Sequence, residues 1–248
     1  YQNGDDYQEA MRYYLTAEKY AFAAHKNYYL GLVYSRIGEV YSEQMNFNGA
    51  LEYYQNAYGA WEKLRNPAFM NNATLNIANA YSSLGDNTNA VKYYSQALQA
   101  AVQQEDNDMV IACLSNLGDI YVNEGDYPKA LQAVKEIERT APDGLSIYQY
   151  RVLAKVYYLQ HKIDSARYYF NIASELAEDV RDDAQLAYLS IQIELASGNP
   201  EEAANSINEY IWLSDSVSRM VVSQSATAAE GKYYKEQTAF ASYRLKVR

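Results

Sequence analysis

The 248-residue sequence contains one cysteine, two histidines, four prolines and eleven glycines. A single cysteine excludes a disulfide scaffold. Scarce proline and glycine, in a chain that is 49% hydrophobic, exclude collagen-like, mucin-like and disordered classes. They favour long regular elements, and therefore helices. No run approaches the ~18 apolar residues that a membrane-spanning helix needs. His25 and His161 stand alone, without the spacing of a metal-binding helix and without a cysteine partner, so no metal site is expected. The sequence also lacks a phosphate-binding glycine loop, a dinucleotide-binding glycine fingerprint and a nucleophile elbow. Cys113 falls on an apolar helical pattern and reads as a buried, inert thiol. Asp106, Asp108, Asp182 and Asp183 fall at connections and read as helix caps or solvated charge. Neither an enzyme nor a bound cofactor is expected.

Tyrosine is abundant, with 28 residues, and the formal net charge is −10. Such a field repels phosphate backbones, so nucleic-acid binding is not expected. The charge is uneven. Lys232, Lys235, Arg244, Lys246 and Arg248 face only Glu236 in the last stretch, a step that often marks a change of role along a chain.

An alanine recurs as Ala10, Ala50, Ala90, Ala130, Ala166 and Ala203, at intervals of 40, 40, 40, 36 and 37 residues. Twelve positions before five of these stand Gly38, Ala78, Gly118, Ala154 and Ile191. Apolar or aromatic residues follow at +4 and +7, as in Tyr54/Ala57, Tyr94/Ala97 and Val134/Ile137. Spacing of this kind places one apolar stripe on a helix. Each repeat therefore predicts two helices joined by about three residues, such as Gly85-Asp86-Asn87 or Gly125-Asp126-Tyr127. Glycine supplies the left-handed residue that ends the first helix. Asp caps the second, and Pro128 or Pro200 sits near its first turn. The small residues predict close approach of the paired helices. The aromatic at +4 is expected to fill space between one hairpin and the next.

The pattern resembles the tetratricopeptide repeat family over roughly residues 5–213. It is carried by Leu114, Leu117-Gly118, Tyr121, Ala130, Val134, Ile137 and Pro142 in one repeat. In another it is carried by Tyr34, Ile37-Gly38, Tyr41, Ala50, Tyr54 and Ala57. The period near 40 exceeds the family's 34, so the helices or their connections are expected to be longer by about a turn. Glu194 stands where the fifth repeat should have tyrosine. The resemblance implies an all-α, right-handed α-solenoid of antiparallel helix pairs. Residues 1–213 would hold the second helix of a truncated repeat and five helix pairs, with residues 214–248 as a C-terminal helix that either caps the last repeat or leads out of the solenoid to a further segment.

The family's groove-lining register then implies a peptide-binding face. Asn72, Asn76, Asn79 and Ser83 fall in it in one repeat. Asn116, Asp119 and Asn123 follow in the next, and Tyr148, Arg151, Lys155 and Tyr158 in the third. Asn76 and Asn116 hold the same repeat position, similar to the asparagine ladders with which some members of the family hold both N–H and C=O of an extended peptide. Arg151 and Lys155 would form a cationic end able to take a carboxylate. The implied function is a non-catalytic scaffold for protein or extended peptide segments.

From about Ser214 the repeat signature stops. The stretch with Gly231-Lys232-Tyr233-Tyr234-Lys235-Glu236 resembles the region after the last repeat in bacterial membrane-tethered regulators with an exported repeat sensor. The chain starts at Tyr1 without methionine and ends at Arg248 in a helical pattern, so both ends are expected to be cuts. A membrane tether beyond residue 248 and an extracytoplasmic, periplasmic location are expected. The alternative is a soluble cytoplasmic assembly protein that oligomerises through the C-terminal helix.

Overall fold

A computed structural model describes residues 3–141, 144–177, 180–216 and 218. The described residues are helical, with no strand among them. The helices are α1 (Asn3–Ala23), α2 (Asn27–Glu43), α3 (Phe47–Lys63), α4 (Pro67–Ser83) and α5 (Asn87–Gln103). They continue as α6 (Asn107–Glu124), α7 (Tyr127–Thr140), α8 (Ile147–Leu159), α9 (Ile163–Glu175) and α10 (Val180–Ala196). Helical residues 200–216 form α11 and run past the expected boundary at residue 213. The rest of the expected C-terminal helix, apart from Ser218, lies outside the described residues. No helix among the described residues is long and apolar enough to cross a membrane.

Contacts group Tyr1–Tyr93 into one compact unit and Tyr94–Arg219 into another. In the first unit α1 packs on α2, α2 on α3 and α3 on α4. In the second, consecutive helices from α6 to α10 pack on one another. There α6 also touches α8, and α8 touches α10. The first helices of successive pairs thus form a row, and the second helices lie behind it. This is the all-helical pairing that the alanine register predicts.

The long period comes from the helices and not from their connections. Helices α2 to α5 each have 17 residues, and the joints between them have three. Two such helices and two joints account for the 40-residue repeat. Helices α8 and α9 have only 13 residues, which shortens the later period. The joints of two or three residues share one backbone device: a left-handed residue directly before the next cap. Glycine provides it at Gly85, Gly125 and Gly198, as the glycine-aspartate pairs predict, but His25, Met45, Arg65, Glu105 and His161 also adopt positive φ. For these L-residues the conformation costs roughly 1–2 kcal/mol. We expect Arg65→Gly and Glu105→Gly each to stabilise the chain by about 0.5 kcal/mol, after the extra unfolded-state entropy of glycine is subtracted. Urea unfolding midpoints check this, and a lowered midpoint for both contradicts it.

Tyrosine supplies the inner packing. Tyr41 stacks on Tyr53 with ring centroids 5.6 Å apart, Tyr81 on Tyr93 at 5.4 Å, and Tyr157 on Tyr169 at 5.4 Å. Each pair joins the two helices of one hairpin at the same register. In the repeat of Tyr121 the partner position is Ala133, and Lys129 lies 5.2 Å from the ring centroid instead. The residue at +4 packs toward the next hairpin, as Phe170 does with Leu189 and Ile193, and Tyr54 also fills space within its own pair. The Tyr54 ring lies against Gly38 of its own hairpin, so close that a Cβ at Gly38 would meet it at 2.6 Å. It fills space inside the pair, because the small residue opposite leaves a ring-sized recess there.

In the fifth repeat Glu194 replaces the stacked tyrosine. Its carboxylate receives both Arg167 guanidinium nitrogens from α9 and the Asn199 amide at 3.0 Å, and Arg167 also donates to Ser197 Oγ at 2.6 Å. This ion pair ties the second helix of one hairpin, α9, to the first helix of the next, α10.

Candidate functional site

The structure distributes the expected groove residues over both units. Asn72, Asn79 and Ser83 are exposed on α4 and Asn76 is half-buried there, all in the first unit. The neighbouring Asn71 is turned inward and only 4% exposed, so not every amide of this helix is available at the surface. In the second unit Asn116 is half-buried, and its amide nitrogen donates to Ala112 O of its own helix at 2.9 Å. A main-chain ladder would therefore have to recruit an amide already engaged by one of its two hydrogens.

The residues that meet around one concavity lie in the second unit. Asp119 and Asn123 come from α6, and Arg151, Val152, Lys155 and Leu159 from α8. Tyr188, Leu189 and Gln192 come from α10, and Tyr210 and Ser214 from α11. The space between them is about 800 Å³. This lies within the range of ligand-binding clefts, and the lining mixes apolar side chains with a few charged and amide groups.

Local sequence sets the spacing of the walls. Ser146 caps α8 with its N–H donating to Gln149 Oε1 at 2.9 Å, in a capping box. Gln149 is 3% exposed and donates from Nε2 to Ser115 Oγ of α6 at 2.7 Å. The start of α8 is thereby tied to α6. Farther along, Arg151 reaches Asp119 at 3.4 Å, and Lys155 Nζ donates to Asn123 Oδ1 at 2.8 Å. Three polar ties at successive turns hold α6 and α8 in register, and two of them form the charged wall.

The electrostatics of that wall follow from lost hydration. Crowding by the surrounding wall raises the Asp119 pKa although Arg151 and Lys155 pull it down. Its side chain still shows 45% exposure, so water reaches it from the open side. Burial lowers the Lys155 pKa, Asp119 opposes that shift and Arg151 adds to it. The Arg151 guanidinium also lies 5.2 Å from the centroid of the Tyr148 ring.

Tyr148 and Tyr158, like Asn116 and the α4 residues, do not line the concavity. Tyr148 is 50% exposed and supports Arg151 from outside the concavity. Tyr158 packs on the apolar cluster of Ala154, Ala166, Leu189 and Ile193. Four residues after Ala154, it shares that residue's buried face. Val122, at the same position after Gly118, is also buried. Conversely, Tyr188, Leu189 and Gln192 were not among the expected residues. The groove register that places Asp119 one residue after Gly118 and Lys155 one residue after Ala154 places Gln192 one residue after Ile191, with Tyr188 and Leu189 matching Arg151 and Val152, so the signal is present in the degenerate fifth repeat.

Cys113 is fully buried, and burial pushes its thiol up to about 12, with Asp106 adding to the shift. It lies in the core and not at the concavity. Among the described residues no cluster of His, Cys, Asp and Glu has the makings of a metal site.

Residues 69–143 match the tetratricopeptide repeat family model. Tetratricopeptide-repeat character is thus matched over residues 69–143. Human protein O-mannosyl-transferase TMTC1 is 39% identical over 70 residues, which is 28% of this chain and 7% of that protein. The chain thus spans a small part of that relative's length. Among solved structures, BtubC (BKLC) from P. vanneervenii is similar with a TM-score of 0.65 at 19% identity, over 86% of this chain and 92% of that one. NprR in complex with its cognate peptide NprX is similar with a TM-score of 0.65 at 18% identity, over 89% of this chain and 67% of that one. At such identities the likeness is one of fold.

Proposed function

We propose that this tetratricopeptide-repeat chain is a non-catalytic scaffold that binds an extended peptide segment of a partner protein in the concavity of α6, α8, α10 and α11. The observation that carries the reading is the lining itself. Amides at Asn123 and Gln192 are suited to peptide main chain, a charged wall at Asp119, Arg151 and Lys155 to a polar side chain, and an aromatic wall at Tyr188 and Tyr210 to an apolar one. The peptide complex of NprR, a protein of similar fold, supports it by analogy. Asn116 belongs to this proposal as a further main-chain contact, and Asn72, Asn76, Asn79 and Ser83 are proposed as main-chain contacts on α4 of the first unit, taken by itself.

The test is selection of peptides from a random displayed library on the immobilised chain. Enriched peptides are then titrated against wild type, Tyr188→Ala and Gln192→Ala. We expect enrichment, and at least one variant weakening binding about tenfold. No enrichment, or affinities unchanged in both variants, overturns the reading. The Asn76→Ala/Asn116→Ala pair tests the amide ladder in the same titration, where unchanged affinity removes it.

The finer proposal places the chain as the extracytoplasmic sensor part of a membrane-tethered regulator. It is tested by the coding sequence downstream of Arg248. An apolar run of about 20 residues supports a tether, and a stop codon or a wholly polar continuation overturns it.

A further inference from the structure

We propose that the concavity selects peptide segments in which an acidic side chain is followed or preceded directly by an aromatic or aliphatic one. Lys155 takes the carboxylate, and Tyr188 and Tyr210 take the apolar neighbour. The inference rests on the peptide-binding reading above and adds the chemistry of the ligand to it.

The argument begins with how each charge in the wall is answered. The lining holds two cations and one carboxylate, although the chain as a whole carries a net charge of −10. Arg151 is met by Asp119 at 3.4 Å and by the Tyr148 ring. Lys155 is met by the neutral Asn123 carbonyl oxygen at 2.8 Å. The ammonium is thus answered at hydrogen-bond distance by a dipole in a partly dehydrated wall. A ligand carboxylate replacing that amide oxygen turns a neutral acceptor into a charged one, and charge-assisted hydrogen bonds are roughly twice as strong. The Asn123 amide is then released to hold peptide main chain.

The part of the lining on α10 and α11 has a different character. Tyr188 is 51% exposed and its ring centroid lies 5.6 Å from that of Tyr210 at an angle of 48°. Leu189, next to Tyr188 on α10, adds apolar lining there. The charged wall belongs to α6 and α8, the aromatic wall to α10 and α11. In an extended segment successive side chains point to opposite sides. In the proposed pose one residue faces Lys155 while its direct neighbour faces the tyrosines. This alternation is what links an acidic residue to an apolar one in the ligand. The overall negative charge opposes every acidic ligand, so the preference is short-ranged. It is read at about 0.15 M salt, where the Debye length is about 8 Å.

The probe is an array of capped, fluorescein-labelled pentapeptides. Each pairs Glu, Gln or Lys with Phe, Leu or Ala at the central two positions, in both orders, against an alanine background. Binding is followed by anisotropy with the full chain. We expect the best binders to contain Glu beside Phe or Leu. Replacing their Glu by Gln should weaken binding roughly tenfold, the size expected for losing a charge-assisted hydrogen bond. Lys155→Met, which keeps the aliphatic stem, should abolish that difference while the Gln peptides bind as before. Thermal unfolding verifies that the variant is folded. Tyr188→Ala should weaken the Phe peptides more than the Ala peptides. Gln or Lys peptides that bind as well as Glu peptides overturn the acidic selectivity and leave the peptide-binding reading standing. So does a Glu preference that survives Lys155→Met. If no peptide of the array binds, and library selection also yields none, both fall together.

Discussion

Gly38→Ala is expected to destabilise the first unit, whereas Gly59→Ala stabilises it. Both glycines lie inside helices, and helix propensity alone favours alanine at each by about 0.5–1 kcal/mol. Packing separates them. A Cβ at Gly38 would lie 2.6 Å from the Tyr54 ring and one at Gly31 would lie 2.4 Å from the Trp61 ring, while nothing lies within 4 Å at Gly59. Tyr54 and Trp61 are 5% and 1% exposed, so neither ring has solvent to retreat into. Overpacking of a fixed ring typically costs about 1–3 kcal/mol, which outweighs the helix gain. Gly31→Ala and Gly38→Ala should lower stability by about 1–2 kcal/mol net, and Gly59→Ala should raise it by about 0.5 kcal/mol. A Tyr54→Leu background should remove most of the penalty at Gly38, because a recess with no ring in it accepts a methyl group. Urea unfolding of the five variants checks this. Stabilisation by Gly38→Ala would contradict the packing account.

Removing the Arg167–Glu194 pair is expected to loosen the joint between α9 and α10, with a recognisable acid signature. Hydrogen bonding from Arg167, followed by that from Asn199, holds the Glu194 carboxyl below its ordinary value, against the opposing effect of burial. A depressed folded-state pKa contributes stability above the unfolded value of about 4.3, and that stability is lost as pH falls through the folded-state value. The Arg167 side chain is 36% exposed, so solvent screening keeps the effect below that of a fully buried pair. Arg167→Ala leaves Glu194, 8% exposed, without its main partner, and should cost about 2 kcal/mol at pH 7. Glu194→Gln should cost about 1 kcal/mol at pH 7 and progressively less as pH falls through the lowered folded-state value, where the wild-type carboxyl takes up its proton. Stability measured between pH 3 and 7 checks the sign. A difference between Glu194→Gln and wild type that grows on acidification would contradict it.

These two sites also show where sequence reading succeeds. The small residues at Gly38, Ala78, Gly118 and Ala154 recur because two helix axes approach there. The recurring tyrosines mark the ring stacks that fill the rest of each pair. Both are local consequences of one repeated hairpin, so a period of 40 is enough to reveal them. The joints were legible where glycine marked them, as at Gly85 and Gly125. They were silent at Met45, Arg65 and Glu105, whose left-handed backbone is imposed by the flanking helices and leaves no mark in residue type.

The concavity was only partly legible. Counting from the small residue of each repeat identifies which way a side chain points, and it names Asp119, Asn123, Arg151 and Lys155. It does not tell which of two outward positions is covered by the next repeat. Tyr158 is drawn into the core by Ala154, Leu189 and Ile193, while Tyr188, in a repeat whose tyrosine had become Glu194, is left on the wall. The pairing of Arg151 with Asp119 depends on the spacing of α6 and α8, which the Gln149–Ser115 bond fixes across the two helices.

The most direct test of the peptide-binding account is amide chemical-shift mapping of the full chain titrated with a library-selected peptide. Saturable shifts concentrated at Asn123, Arg151, Lys155, Tyr188 and Gln192, on α6, α8 and α10, are the predicted result. Shifts confined to α7 and α9 behind that row, or no saturable shift at all, would contradict it.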